Sequence, residues 1–372
     1  MRGPVIITGG GTGGHVFPMQ AIEEALRQLG VTSEELRFVG SRRGQERGLL
    51  GGGDVALTLL PGRGLVRSPR VADVARNLAA ASGLVAALFM ALVLVKRWRP
   101  SVVVSVGGYA SFAVSFAARC WRIPLVLVEF DATPGAVQRL FAHYATKRCC
   151  AFSSSGEKDV VTGAPLRASI EHVDRSNEAR LRAKRAATPP IDPERVVVVV
   201  MSGSLGSSRV NEAVSDLATR WVSRRDRALL HVTGQRDYDG TRSRTLATSG
   251  LDYRVIAFAD MVELWSVSDV AICRAGAGTV AELTALAIPS ILVPLPNAPG
   301  DHQAKNADAV VRAGGAVLLR DDECTGAALE ELLERVAEPA TLRSMSLGAR
   351  TLAHPGAAQA IAAVILEVRA SS

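Results

Sequence analysis

Short runs of β-branched and aliphatic residues recur along the chain, separated by longer stretches in which apolar positions return every three or four residues. Val5–Thr8, Leu36–Val39, Val55–Leu60, Val102–Val106, Leu125–Val128 and Lys147–Phe152 predict the strands of a first sheet. Val196–Met201, Ala228–Thr233, Tyr253–Phe258, Val270–Cys273, Ser290–Val293 and Ala316–Leu319 predict those of a second. Several of these runs, Val196–Met201 above all, are continuously apolar. A strand buried on both faces carries that signature, whereas a half-exposed strand alternates. Strand alternating with helix predicts parallel sheets joined by right-handed crossovers. The expected fold class is therefore α/β, with two doubly wound, Rossmann-like parallel-sheet domains.

Between the two sets lies a polar, Pro-containing stretch at 171–194 without a strand signal, in which Thr188-Pro189-Pro190 ends any helix. The domain boundary is expected just before it, near Gly163–Pro165. This divides the chain into 1–164, 165–355 and a terminal helix at 356–372. One segment tests the class. Leu78–Val95 runs 18 residues without a charge, flanked by Arg76 and by Lys96-Arg97-Trp98-Arg99. That is the lower edge of membrane-spanning length. Its first half is rich in Ala, Ser and Gly, and it falls between two strands that need a crossover. It is expected to be a helix that packs on the sheet and presents part of its apolar side, with its basic collar, to a bilayer.

Composition adjusts this picture in three places. The 372 residues are 48% apolar and 21% charged, enough for substantial cores. Aromatics are only 5%, which argues against nucleic acid as a partner. Five cysteines without a C-x-x-C spacing read as reduced thiols of a cytosolic protein. Met1-Arg2-Gly3-Pro4 runs straight into the first strand, leaving no room for the regions of a signal peptide. The net charge of +7 is uneven: residues 1–165 hold 19 Lys/Arg against 11 Asp/Glu, and the remainder 24 against 25. A basic N-terminal half suits an anionic partner, such as a membrane surface or a phosphorylated substrate.

The chemistry-bearing motifs are Gly-rich turns, each following a strand and opening a helix: Gly9–His15, Ser202–Ser207 and Arg274–Thr279. Glycine lets the backbone turn sharply and approach a ligand, and the free N–H groups of the next helix attract phosphate. Gly9-x-Gly11-x-x-Gly14 also fits a dinucleotide fingerprint, but the acid expected after the second strand is replaced by Gly40-Ser41-Arg42-Arg43. An NADP oxidoreductase would use those arginines, yet leaves the two later turns unexplained. Phosphate-type turns in both halves better suit a substrate bridging a cleft between facing domains. Asp237-Tyr238-Asp239 has the spelling of a metal-binding D-x-D but lies in a polar loop, and it is not expected to hold metal. His143 and His231 read as helix or strand-edge residues. His15, where a phosphate loop becomes a helix, is the candidate of interest.

With these turns in place, the sequence resembles the MurG family of peptidoglycan glycosyltransferases. Gly9–Pro18 resembles the family's first Gly loop, Val106–Ser111 its second, and Val161–Arg167 its inter-domain segment. Cys273–Glu282 and Pro294–Ala307 resemble its donor signature, and the likeness runs from about Val5 to Val368. The resemblance implies a GT-B architecture whose last helix returns to the first domain. It also implies inverting transfer of N-acetylglucosamine from UDP-GlcNAc to an undecaprenyl-diphospho-muramoyl pentapeptide, with no cofactor and no metal. By resemblance Glu282 would hold the donor ribose and Gln303 the sugar, while Arg167, Ser204, Ala277, Gly278 and Thr279 face the diphosphate and sugar. Thr12, Gly13, Gly14 and Tyr109 would face the acceptor's diphosphate, together with Glu129 and Asp131. His15 would be the general base for the attacking hydroxyl. The place implied is peripheral, at the cytoplasmic face of the cell membrane, with an anionic lipid surface and cell-wall synthesis proteins as partners.

The chain departs from the family pattern at Phe130 and Asp131, where the family reads Gln-Asn, and at Ser202 and Leu205. The departures bear on the acceptor more than on the donor. A related transferase with another lipid-linked or hydrophobic acceptor, and a non-catalytic UDP-sugar sensor, are the readings that compete on these residues.

Overall fold

The continuously apolar runs become central strands. The structure, a computed structural model, describes residues 3–11, 13–62, 71–152, 155–203, 206–244 and 249–371, and of 71–81 only the backbone. Among the described residues β1 (Val5–Thr8), β2 (Leu36–Ser41), β3 (Ala56–Leu60), β4 (Val102–Ser105), β5 (Leu125–Glu129), β6 (Lys147–Cys150) and β7 (Asp159–Val161) form one sheet, in the order β3-β2-β1-β4-β5-β6-β7. A second sheet holds β8 (Val196–Met201), β9 (Arg227–Val232), β10 (Asp252–Ile256), β11 (Val270–Cys273), β12 (Ser290–Leu292) and β13 (Ala316–Leu318), in the order β10-β9-β8-β11-β12-β13. The pairings are parallel throughout, for example β1 with β2 and β4, and β8 with β9 and β11. Two doubly wound parallel sheets are the fold class expected from the pattern. The exception is β7, whose three residues are too few to show a period.

Double burial is visible residue by residue in β8. Val197 and Val199 join one core with Trp265, Ala271 and Leu283, while Val198 and Val200 join another with Val214, Trp221 and Ile272. Each fully buried valine is worth ~1.5–3 kcal/mol relative to exposure. The polar stretch at 171–194 is not all loop. A helix, Asn177–Ala186, starts on a Ser176 cap whose Oγ accepts from the Ala179 N–H at 3.2 Å, and it ends before Thr188.

The chain divides into two compact units, Met1–Arg167 with Gly356–Ser372, and Ala168–Pro355. In unit 1 the last helix, Ala357–Ala370, returns to pack on the Gly13–Gln28 helix, and Arg369 pairs with Glu35 at 2.6 Å. The uncharged segment at 78–95 forms part of a helix, Val71–Trp98. Ala87, Ala91 and Val95, four residues apart, are buried against the Tyr109–Cys120 helix, while Val85 and Phe89 are 67% and 70% exposed. Among the described residues no helix is long and apolar enough to cross a membrane.

Candidate active site

In a doubly wound sheet, ligands lie beyond the carboxyl ends of the strands, where successive strands depart in opposite directions. That place is between β1 and β4 in unit 1 and between β8 and β11 in unit 2. Each of these four strands is followed by a Gly-bearing turn: Gly9–Gly14, Gly107-Gly108, Gly203–Gly206 and Gly276–Gly278.

In unit 1 the two turns touch backbone to backbone. Gly108 has φ 89°, and a Cβ there would stand 2.2 Å from the Gly10 carbonyl oxygen, so only glycine fits. Ser111 Oγ ties the same turns by donating to the Thr8 and Gly107 carbonyls at 2.9 and 2.7 Å. Beneath them lies Glu46, 0% exposed, whose Oε1 accepts from the backbone N–H of Ser41 at 2.8 Å and of Gly11 at 3.1 Å. Sequence reading missed this carboxylate. The available signal was the clustering of Gly40 and Gly44 around it, where a Cβ would strike its side chain.

His15 lies in the first turn of the Gly13–Gln28 helix, with its ring against Gly107, at 3.3 Å from where a Cβ would be. Phe130 stands beside it, ring centroids 6.0 Å apart, so the departure from the family pattern supplies an apolar wall to the imidazole. Glu129 closes the following turn: its Oε1 accepts from the Asp131 N–H at 3.1 Å and its Oε2 from the Gly135 N–H at 3.0 Å. Burial, reinforced by the charge of Asp131, pushes the Glu129 carboxyl up to about 7, against the pull of those N–H groups and of Arg148. Glu129 and Asp131 line a cavity of about 290 Å³ with Gln138, Arg148 and Cys150. Gln138, itself buried, donates to the Ser105 and Val128 carbonyls at 3.1 and 2.8 Å and so joins the ends of β4 and β5. Tyr109 opens the next helix, and burial raises its phenol; its Oη has no hydrogen bond among the described residues. The Arg167 guanidinium lies 4.5 Å over the ring of Phe17, two residues beyond His15 in the same helix. Gly13 is buried and Gly14 exposed; Thr12 lies outside the described residues.

In unit 2 the turns are braced by side chains. Arg274, at the end of β11, is buried and reaches three neighbouring segments. It donates to Ser207 Oγ at 2.6 Å and to the Val293 and Pro294 carbonyls at 3.1 Å, and it pairs with Asp321 at 2.6 Å. The helix Ala277–Ala285 begins without a side-chain cap, leaving the N–H groups around Ala277, Gly278 and Thr279 for another acceptor. A Cβ at Gly276 or Gly278 would meet nothing within 4 Å, and neither is held at positive φ. Packing therefore does not demand glycine there, and the turn keeps open space before the helix end. That combination can hold a phosphate.

Glu282 lies in the second turn of this helix, and its Oε2 accepts from the indole N–H of Trp265 at 2.7 Å. Gln303 Oε1 accepts from the Leu295 N–H at 2.9 Å, holding the loop after β12. Asn306 donates to the Ala275 carbonyl at 3.1 Å. Phe258, 77% exposed, stands in the turn that leads into the helix of Trp265. Ser204 and Leu205 lie outside the described residues. The bracing roles of Arg274 and Trp265 were not legible beforehand, because their partners lie far along the chain.

Asp237 and His231, both weighed from the sequence, lie in structural contacts. Asp237 binds Arg236 at 2.7 Å and Asn211 at 3.0 Å, and these partners, Arg236 first, hold its carboxyl below the usual range. His231 is buried in β9 between Tyr253 and Asn211, each at 3.0 Å, and burial pushes its imidazole down to about 3. Among the described residues no cluster of three or more His, Cys, Asp or Glu side chains could hold a metal ion.

Comparison with known proteins adds the chemistry that geometry alone leaves open. Residues 5–149 match the model for the glycosyltransferase family 28 N-terminal domain, and residues 197–361 that for the family 28 C-terminal domain. A protein of Moorella thermoacetica is 36% identical over 98% of both chains. It is named UDP-N-acetylglucosamine--N-acetylmuramyl-(pentapeptide) pyrophosphoryl-undecaprenol N-acetylglucosamine transferase. A Pseudomonas aeruginosa protein of the same name is 35% identical over 99% of both. Among solved structures, Acinetobacter baumannii MurG superimposes with a TM-score of 0.76 at 27% identity, over 98% of this chain and 100% of that one.

Proposed function

Because the chain belongs to the MurG family of family 28 glycosyltransferases, we propose that it transfers N-acetylglucosamine from UDP-GlcNAc to an undecaprenyl-diphospho-linked muramoyl pentapeptide. The observation that carries this reading is likeness to relatives of that name over almost the whole length of both chains. The two switch points, each with its pair of Gly turns, support a reading in which two phosphate-bearing substrates bind.

Unit 2 takes the donor. The uncapped start of the Ala277–Ala285 helix receives the diphosphate through the N–H groups at Ala277, Gly278 and Thr279, with Ser204 contributing. Glu282 chelates the ribose diol, Gln303 meets the sugar, and Phe258 offers a ring face to the base. Unit 1 takes the acceptor. Gly13, Gly14, Thr12 and Tyr109 receive its diphosphate, and Glu129 and Asp131 shape the wall beside it. His15 removes the proton of the attacking hydroxyl as it displaces UDP from the anomeric carbon, inverting that centre. Helix-end amides stabilise the leaving diphosphate, an electrostatic contribution that needs no metal.

The protein works at the cytoplasmic face of the membrane. Val85, Phe89 and Val93 project from one side of the Val71–Trp98 helix, with Lys96 and Arg97 exposed at its end. Apolar area and a basic collar together give peripheral binding to anionic lipid. Transfer of labelled N-acetylglucosamine to the lipid-linked muramoyl pentapeptide tests the reading. Labelled disaccharide product supports it; UDP binding without transfer to that acceptor would point to another acceptor, the reading favoured by the Phe130 ring beside His15.

A further inference from the structure

Trp265 is 0% exposed, and its indole nitrogen is the one polar atom of its side chain. That N–H is spent on Glu282 Oε2 at 2.7 Å, the short distance of a bond to a charged acceptor. The two residues come from different elements, the helices Met261–Val267 and Ala277–Ala285, which precede and follow β11. The indole is the fixed partner. It packs in one core with Leu264, Val267, Val280 and Leu283. Its helix is held at the start by Asp260, which accepts from the Val262 N–H at 2.9 Å. At the end, Arg175 donates to the carbonyl oxygens of Trp265 and Ser268. A glutamate on a nine-residue helix would otherwise sample several rotamers. Here one oxygen is held by a fully buried indole.

An ionised carboxylate has about four lone-pair positions, so Oε2 can hold the indole and still accept from a ligand. We infer that Trp265 is a positioning residue for the donor nucleotide: its buried indole N–H sets the Glu282 carboxylate in the orientation that receives both ribose hydroxyls, and thereby makes the site select ribose over 2′-deoxyribose. The inference rests on the reading of Glu282 as the ribose residue. Groups that orient a ligand-binding side chain from behind usually matter ten- to a hundredfold, by analogy with the outer shells of metal sites. A site built to accept a hydroxyl's hydrogen bond rejects the analogue that lacks it.

The test is calorimetric titration of the full-length protein with UDP and with 2′-deoxy-UDP, in the wild type, Trp265→Phe, Glu282→Gln and the double variant. The wild type should prefer UDP by roughly tenfold or more, the scale of one hydrogen bond to a charged group. Trp265→Phe should lose about tenfold on UDP and much less on 2′-deoxy-UDP, so that the ratio falls toward one. In the Glu282→Gln background the same change should add little. The ratio cancels any general weakening from the smaller ring, and far-ultraviolet circular dichroism confirms that each variant is folded. A Trp265→Phe protein that keeps the wild-type ratio, or whose loss adds in full to that of Glu282→Gln, makes Trp265 a packing residue only and overturns the inference. Wild-type protein that binds UDP without ribose preference removes Glu282 from the ribose. Wild type that binds neither nucleotide overturns the donor reading, and the inference with it.

Discussion

Unit 1 and unit 2 use one topology twice, with a Gly-bearing turn after each strand that flanks the switch point. They hold those turns by opposite means. In unit 1 the turns meet backbone to backbone, Gly108 against the Gly10 carbonyl, with side-chain ties from the Ser111 hydroxyl and one buried carboxylate, Glu46. In unit 2 a buried cation, Arg274, spans three segments, and Trp265, Gln303 and Asn306 each fix one more group. The difference teaches that a phosphate-binding turn can be fixed by backbone contact or by side-chain bracing, and that the two leave different freedom nearby. In unit 1 a titratable group, His15, stands beside an apolar ring, Phe130. Side-chain bracing leaves an uncapped helix end over open space.

The comparison is sharpened first at His15. If unit 1 supplies the base, His15→Ala should lower kcat by ~10²–10⁴ while leaving UDP affinity unchanged. Steady-state kinetics with calorimetry reads both. Retained turnover with weaker acceptor binding would make His15 a residue that positions the acceptor's diphosphate.

The two kinds of bracing predict a crossed pair of stability effects. Arg274→Met removes a cation from a buried pair and should cost ~2–4 kcal/mol, seen as a lower denaturation midpoint, with weaker UDP binding. Gly108→Ala forces a Cβ into the Gly10 carbonyl at a φ of 89° and should cost ~2–3 kcal/mol, with UDP binding intact. Equal loss of UDP affinity in both would erase the distinction between the units.

Glu129 gives a pH signature to unit 1 alone. Its carboxyl is raised from 4.5 to about 7 on folding, mainly by burial. Its contribution to stability is therefore complete below the unfolded value and is lost as pH rises through 7. Glu129→Gln should flatten that dependence, making the variant relatively more stable than wild type at pH 8 than at pH 5, by ~1–3 kcal/mol. Parallel stability curves for the two proteins would show that Glu129 titrates normally.

Much of this was legible in sequence because it is local. Short runs rich in β-branched and aliphatic residues marked twelve of the strands, and strand–Gly–helix spelling marked the turns. The unread strand, β7, has three residues and borrows its register from β6. The braces were not legible for a different reason. Arg274 finds Ser207 67 positions away, Glu46 finds Gly11 35 away, and Trp265 finds Glu282 one strand later. Such pairings belong to the folded topology rather than to any window of sequence. Thr12 and Ser204, expected at two of the turns, lie outside the described residues.

The central claim is the division of labour: donor in unit 2, acceptor chemistry in unit 1. Calorimetric titration of UDP into Glu282→Gln and His15→Ala, beside the wild type, tests it most directly. The account predicts that Glu282→Gln weakens UDP by ~1–3 kcal/mol, the scale of a charge-assisted hydrogen bond, and that His15→Ala leaves it within experimental scatter. UDP affinity that is unchanged in Glu282→Gln, or that falls as far in His15→Ala, would contradict it.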